Sequence, residues 1–435
     1  MTEKNKISRR NFIKIMAGIG VLAAGGGIFT LRKTSLGRDI ENQARELLQD
    51  KQFQYLRQMV TSDNTRSRRI MWQASEYMSN PQIRLRLQND TKREMVIPAQ
   101  DDSFFDDGEN HIQYSAMLDR LEPGTKYEFA VEDGSKASKW FPVQTATDNK
   151  DKFSMLIFTD SQSSDYSDWR NVAQNAIKRH PDAEIFTNLG DLVDNGEDSS
   201  QWRAWFGALD GIIDQIPFAP VVGNHECYNR DWKEQLPMAY LRFFNVPENN
   251  SKDFNRYYYS FDYGQVHFAV LGTVEKEIKN FKSGLMDEQA DWLEKDLQRT
   301  TKPWKIVLMH KDVLQYRIAR MPERKEGISE EGQLFMPIFE KYNVDIVLTG
   351  HLHTYRNRGH VIQGKHDPNG PLYILCGLSG NVRYDRLWTD HALDEVVAPQ
   401  PETDNYMTMD VEGNVITIRC FLPDGTKIDE VKVNK

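Results

Sequence analysis

The sequence predicts a mixed α/β (α+β) protein in which a small all-β region precedes a larger region of alternating strands and helices. Three observations predict it. From Tyr55 to about Thr147, short alternating segments recur between turn residues with no helical period: Arg69–Trp72, Gln82–Leu87, His111–Leu118, Tyr127–Val131 and Phe141–Thr145. From about Lys152 onward, apolar runs (Met155–Phe158, Glu184–Thr187, Ala219–Val222, Lys305–Leu308, Asp345–Leu348) are interleaved with helically spaced segments at Asp168–His180, Asp287–Gln298 and Leu334–Tyr342. Finally, 435 residues, 39% hydrophobic and 11% aromatic, suffice for a large core and more than one domain. Further strands are predicted at Leu372–Gly377, Tyr406–Asp410 and Val415–Phe421, with turns at Glu412-Gly413-Asn414 and Pro423-Asp424-Gly425.

The five apolar runs share a feature that core packing does not require. Each is followed by residues with metal chemistry: Asp160 and Gln162, Asp191, Asn224 with His225, His310, and His351 with His353. Strand C-termini are where open α/β sheets place their ligands. Two cations about 3.5–4 Å apart need one shared anionic oxygen, other hard oxygens and a few imidazoles, with positions left open for water and substrate. Asp191 is expected to bridge. Asp160, Asp191, His353 and the amide oxygen of Gln162 are expected on one metal, and Asp191, Asn224, His310 and His351 on the other. A lone Asp after a strand is usually a helix cap and a lone His is usually packed or solvated. The whole set, in this order, carries the inference.

At these residues the chain resembles the calcineurin-like metallophosphoesterase superfamily, whose pattern is D-x-[HQ], GD-x-x-[DY], GNH-[DE], H and GH-x-H. Within it the chain most resembles the purple acid phosphatases, because a small β-domain precedes the motifs. The resemblance covers about residues 55–435 and its specific motifs lie in 158–353. It implies a four-layer β-sandwich flanked by helices over 152–435, with the C-terminal strands in the second sheet. It also implies a purple acid phosphatase N-terminal domain over 55–148. There, Leu121-Glu122-Pro123-Gly124-Thr125-Lys126-Tyr127 looks like a fibronectin type III turn with its corner Tyr, and a buried Trp72 fits such a sandwich. The chemistry implied is hydrolysis of a phosphate monoester by direct water attack at two metal ions (Fe, Mn or Zn), without a covalent phosphoenzyme. His225 is the expected general acid, oriented by Asp194. A phosphodiesterase on the same site, or a non-catalytic metal-binding surface protein, are the alternatives.

Two positions depart from the purple enzymes. Three residues after the bridging Asp they carry a Tyr that ligates Fe(III), and this chain has Asp194, so the resemblance implies no tyrosinate colour. Gly190-Asp191-Leu192-Val193-Asp194 instead looks like the GD-x-x-D of serine/threonine phosphoprotein phosphatases, but Asn195-Gly196 follow where those enzymes place a phosphate-binding Arg. Gln162 occupies the D-x-H slot, and a neutral amide is a weaker ligand than imidazole.

The N-terminus reads Ser8-Arg9-Arg10-Asn11-Phe12-Ile13-Lys14 and then the apolar, Gly-rich run Ile15–Leu31, the order of a twin-arginine export signal. The twin-arginine translocation machinery is thus an expected partner, and a periplasmic or otherwise extracytoplasmic location is expected. Arg32 and Lys33 follow the run without an A-x-A site, so residues 1–33 also suit an uncleaved membrane anchor, though about 17 apolar residues is at the short limit for spanning. Residues 34–54 read as a polar helical stalk. Residues 1–38 hold eight basic and one acidic side chain, so of the overall −9 the remainder carries −16. That balance argues against nucleic acid as a partner and favours small or locally recognised ones, and the resemblance implies a phosphate-ester substrate. Cys227, Cys376 and Cys420 are too few and too far apart for a disulfide framework, and Cys227 reads as a buried thiol despite following the GNHE motif. Two long connections, 227–258 (Tyr228, Asn229, Arg230, Arg256, Tyr257) and 312–332 (Tyr316, Arg317, Arg320, Arg324, Lys325), leave the sheet beside these residues and are expected to frame a pocket.

Overall fold

A computed structural model describes residues 52–147, 152–384, 386–399 and 403–435. The export signal, the anchor and nearly all of the expected stalk lie outside the described residues. Tyr55–Lys435 form one compact unit.

Two large sheets face one another across the main core. The second sheet runs in the order Tyr259–Tyr263, Val266–Leu271, Trp304–Met309, Ile346–Thr349, Leu372–Cys376, Tyr355–Ile362 and Lys365–His366, with Val396–Val397 pairing on the side. Its central strands are parallel and apolar on both faces, and their two-residue period explains the layering. Phe268, Val270, Ile306, Leu308, Ile346 and Leu348 point into the core between the sheets. The alternate residues Ala269, Leu271, Val307, Met309 and Val347 pack with Leu293 and Leu297 of the Leu285–Arg299 helix and Phe335 and Phe339 of the Glu330–Lys341 helix. On the first sheet, Trp169 of the Ser167–Arg179 helix meets Phe158 edge-on at 5.1 Å, and Trp205 of the Ser199–Ala208 helix packs on Phe218 at 5.6 Å. The result is a helix, sheet, sheet, helix stack. The Ser199–Ala208 helix starts cleanly because the Asp198 carboxylate accepts the Ser200 and Gln201 N–H groups.

The C-terminal strands divide between the sheets rather than all building the second. Leu372–Cys376 pairs with Ile346–Thr349 there, but Tyr406–Glu412 lies antiparallel to Lys152–Phe158 in the first sheet, and Val415–Phe421 and Lys427–Asn434 extend that edge. Successive tight turns make this meander a local structure, so its first strand fixes the sheet for all three.

The N-terminal region has its own sheet of Phe141–Gln144, Lys126–Asp133, Pro81–Leu87 and Asp90–Pro98, with Lys136–Ala137 on its edge. The Tyr127 hydroxyl accepts the Glu122 N–H (2.9 Å), and Trp72 is buried on Tyr114. Its other strands do not form a separate sheet. Gln54–Met59 pairs in parallel with Phe218–Pro220 through Met59 and Phe218, and Arg68–Ala74 and Glu109–Leu118 continue from it, making one sheet of eleven strands across both regions.

Candidate metal centre

Every predicted ligand is carried on the loop after a first- or second-sheet strand, and the loops converge. The Asp160, Asp191 and His353 ligand atoms lie within 4.8 Å of one another, as do those of Asp191, His310 and His351, so Asp191 belongs to both groups. Each group holds three of the four residues expected on one metal, the fourth being Gln162 in the first set and Asn224 in the second. The Asn224 Oδ1 lies 3.0 Å from the His310 Nε2, which is also 3.1 Å from Asp191 Oδ2. Gln162 is fully buried, yet neither side-chain amide atom has a hydrogen-bond partner among the described residues. A buried amide rarely lacks partners, and a cation would supply one.

The imidazoles are presented in one sense. His310 Nδ1 lies 2.8 Å from the Leu189 carbonyl and His353 Nδ1 2.6 Å from the Val382 carbonyl. A carbonyl only accepts, so both Nδ1 atoms carry the proton and both Nε2 atoms turn to the carboxylates, the usual way a protein orients a histidine ligand. His353 Nε2 is 3.3 Å from Asp160 Oδ1. Burial disfavours charge on His310, but Asp191 above all outweighs this and raises its pKa to about 9. Asp191 is held below the usual carboxylate range, because His310 and His225 overcome the effect of burial. Burial and the neighbouring His310 keep His351 well below 6.5 and therefore neutral. Without cations the proton held by His310 offsets the Asp191 charge, and a metal ion would displace it.

Four of the proposed ligands have left-handed backbone: Asp160 (φ 48°), Asp191 (52°), His351 (78°) and His353 (52°). Non-glycine residues avoid this region at a cost of about 1–2 kcal/mol each, so surrounding contacts must fix it. Glu226 supplies many of them. Its buried carboxylate accepts N–H groups from Gly223 (2.7 Å), Leu192 (2.8 Å), Asp191 (3.0 Å) and Val193 (3.3 Å), tying the GD loop to the GNH loop. Gly223 permits that approach, since a Cβ there would strike the Asp191 backbone nitrogen and carboxylate. Asp160 in turn accepts the His351 N–H at 2.9 and 3.1 Å. Ser161 Oγ takes hydrogen bonds from Trp205 Nε1 (3.0 Å) and Asn188 Nδ2 (2.8 Å) and donates to the Leu192 carbonyl, anchoring the first loop to the core. Sequence reasoning missed the roles of Glu226 and Ser161, although the motif spacing contained both residues.

His225 lies beside the ligand groups but in neither. Its N–H donates to Asp191 Oδ1 (2.8 Å), and its Nε2 is 4.0 Å from Asp191 Oδ2. The expected orienting contact from the Asp194 carboxylate is not the main one. His225 Nδ1 donates to the Asp194 main-chain carbonyl at 2.8 Å, and the carboxylate oxygen stands at 3.5 Å. The carboxylate is partly exposed, and burial still raises its pKa from the usual carboxylate value. Burial works against charge on His225, but Asp191 and then Asp194 outweigh it and raise its pKa from the ordinary 6.5.

The loop arginines do not converge on this centre. Arg230 pairs with Asp107 (2.9 Å), Arg256 donates to the Leu241 carbonyl (3.1 Å), Arg324 to the Tyr316 carbonyl (2.8 Å), and Arg317 faces Glu326 at 3.7 Å. Tyr316 and Tyr257 are buried, and Tyr316 joins Asp394 and Arg358 in an ion network below the loop. Aromatic side chains stand at the centre instead. Tyr228 and Trp232 flank His225 with ring centroids at 5.8 and 5.9 Å, and Tyr384 packs on His353 at 4.7 Å. Cys227 is buried, and burial pushes its thiol well above 9, which leaves it inert. No helix among the described residues is long and apolar enough to cross a membrane.

Comparison with known proteins agrees with this architecture. Residues 153–355 match the family described as Calcineurin-like phosphoesterase, and residues 54–145 match that described as Purple acid Phosphatase, N-terminal domain. It is similar to Purple acid phosphatase 15 of Arabidopsis thaliana, 31% identical over 47% of this chain and 36% of that protein. It is also similar to Probable purple acid phosphatase 20 of the same plant, 28% identical over 61% of this chain and 60% of that protein. The chain thus spans between about a third and three fifths of the length of these relatives. The purple acid phosphatase PPD1 from yellow lupin (Lupinus luteus) seeds shares the fold, with a TM-score of 0.75 at 17% identity over 89% of this chain and 75% of that one.

Proposed function

We propose that this protein is an exported, dinuclear metal-dependent phosphatase that hydrolyses phosphate monoesters. The observation that carries the reading is Asp191, shared by two ligand groups that also hold Asp160 and His353 on one side and His310 and His351 on the other. The donor set suits Fe, Mn or Zn: two imidazole Nε2 atoms are already turned inward, and Gln162 offers an unpaired buried amide. Cations bound there supply Lewis acidity toward phosphate oxygens and acidify water.

The chain's own residues do the rest. Asp160, Gln162 and His353 would hold one cation, and Asn224, His310 and His351 the other, with Asp191 between. His225, pinned at Nδ1 by the Asp194 carbonyl, holds its Nε2 beside Asp191, where the imidazolium would donate its Nε2 proton to a departing alkoxide. The buried, high-pKa Cys227 is unfit as a nucleophile, consistent with direct attack by water. Export rests on the twin-arginine segment at Arg9-Arg10, and membrane attachment on the apolar run after it.

Metal analysis of the purified protein combined with a substrate panel tests the reading. Two metal equivalents per chain and phosphate release from monoesters are expected. Turnover of bis-esters without monoesters would make the protein a phosphodiesterase, and two bound metals with no turnover at all would make it a binding protein.

A further inference from the structure

The aromatic residues around the centre are placed too deliberately to be ordinary surface. Trp232 is 56% exposed, and its backbone is left-handed at φ 60°. An indole with half of its surface in water is not held in that conformation by core packing. Strained residues kept by their surroundings concentrate at functional sites. Here the surroundings are explicit. The Trp232 N–H donates to the Asn229 carbonyl (2.9 Å), Asn229 N–H donates to the Lys233 carbonyl (2.9 Å), and Asn229 Oδ1 accepts from the Asp231 (3.0 Å) and Lys233 (2.9 Å) N–H groups. Arg230, in the same turn, is clamped to Asp107 of the N-terminal region at 2.9 Å. The loop is therefore hydrogen-bonded within itself and tied to the N-terminal region.

What it presents is a face beside the proton donor. Trp232 stands perpendicular to the His225 ring at 5.9 Å and rests on Tyr228 at 6.2 Å. Tyr384, 36% exposed, packs beside His353 with ring centroids at 4.7 Å. The group nearest His225 in a bound ester is the leaving group, because that is the oxygen His225 protonates. An exposed indole there offers a stacking surface, and Arg230 and Arg256 of the same connection are engaged by Asp107 and the Leu241 carbonyl.

We infer that Trp232 is a leaving-group platform and that the site selects phosphate monoesters whose leaving group carries a planar aromatic ring. This rests on the phosphatase reading above. Two measurements on the full-length, metal-loaded protein separate the two. One is the ratio of kcat/KM for phenyl phosphate over ethyl phosphate. The other is the ratio of Kd for methylphosphonate over phenylphosphonate by calorimetry, which needs no turnover. Trp232→Ala should lower both ratios about ten-fold, the scale of one aromatic stacking contact, and Trp232→Phe should restore most of each. Unchanged ratios, or an equal loss for the aryl and alkyl compounds that Phe does not rescue, would overturn the platform and make Trp232 a buttress for His225. If the wild type hydrolyses neither ester, the phosphatase reading fails, and the phosphonate ratio alone decides the subsite.

Discussion

Asp191 and His225 are adjacent in space but are built for different work, and single substitutions should separate them. Asp191→Asn removes the one anionic oxygen common to both ligand groups, so it should abolish metal binding and nearly all activity. Two retained metal equivalents with near-normal turnover would sink that assignment. His225→Ala should keep both metals and lose roughly 10²–10⁴ in rate, most for alkyl phosphates and least for p-nitrophenyl phosphate, whose leaving group needs little protonation. Loss of a metal, or equal slowing of all leaving groups, would make His225 a ligand or a simple electrostatic group. Asp194→Asn should have a much smaller effect, below about ten-fold, because the main-chain carbonyl and not the carboxylate takes the Nδ1 hydrogen. A loss as large as that of His225→Ala would show that the carboxylate does the orienting. At this scale the sequence was informative where ligand-type residues recur after successive strands, and the structure brings His310 to 3.1 Å from Asp191 and His353 to 3.3 Å from Asp160. The sequence was silent where the backbone acts, since no pattern distinguishes the Asp194 carbonyl from its carboxylate, and where a side chain such as Glu226 serves main-chain donors.

Elements were legible in proportion to their periodicity. The Ser167–Arg179 and Leu285–Arg299 helices carry buried apolar residues at helical spacing and stand close to their expected limits. The Asp90–Pro98 strand was missed because its Lys92-Arg93-Glu94 stretch shows no apolar face, and the sheet chosen by the C-terminal meander was misread because strand partners are not local information. The hairpin of Tyr259–Tyr263 and Val266–Leu271 illustrates what such elements add. Its His267 sits between Asp262 and Asp296 of the adjacent helix, 2.8 Å from each. Burial opposes the charge, but these two carboxylates raise the pKa to about 9. A folded-state value above the unfolded 6.5 means that the stabilisation is fully present below about pH 6.5 and is lost as pH rises through about 9. In denaturant unfolding, wild type should therefore exceed His267→Gln by roughly 1–3 kcal/mol at pH 6, with the gap narrowing by pH 9.5. A gap independent of pH would show that His267 is neutral in the native state.

On the scale of the whole molecule, the N-terminal segment and the fused sheet make separate predictions. The Arg9-Arg10 pair predicts fractionation outside the cytoplasm, and Arg9→Lys with Arg10→Lys should retain the protein inside; unchanged export of that double variant would remove the twin-arginine reading. Pattern reading separated a β-region from an α/β region, but it could not show that they share a sheet, because the joining pair, Met59 with Phe218, is 159 residues apart in sequence. That pairing makes the β-region part of the fold rather than an appended scaffold. Gln58 N–H donates to the Ile213 carbonyl (2.8 Å), Val60 N–H to the Phe218 carbonyl (3.1 Å), and the buried Arg57 Nε to the Phe243 carbonyl (2.9 Å). Met59, Val60 and Met71 lie in the same apolar core as Phe158, Phe186 and Phe244. Exposing their contacts would cost about 1.5–3 kcal/mol for each of the three side chains, a sum comparable with the 5–15 kcal/mol net stability of a typical domain. It would also bare the Phe218–Pro220 strand as an apolar edge open to aggregation. Residues 152–435 expressed alone should therefore be insoluble or unfold without cooperativity, whereas residues 52–435 should melt in one transition. A soluble 152–435 fragment that binds two metals and melts cooperatively would show that the shared sheet is dispensable and that the β-region is only an attachment.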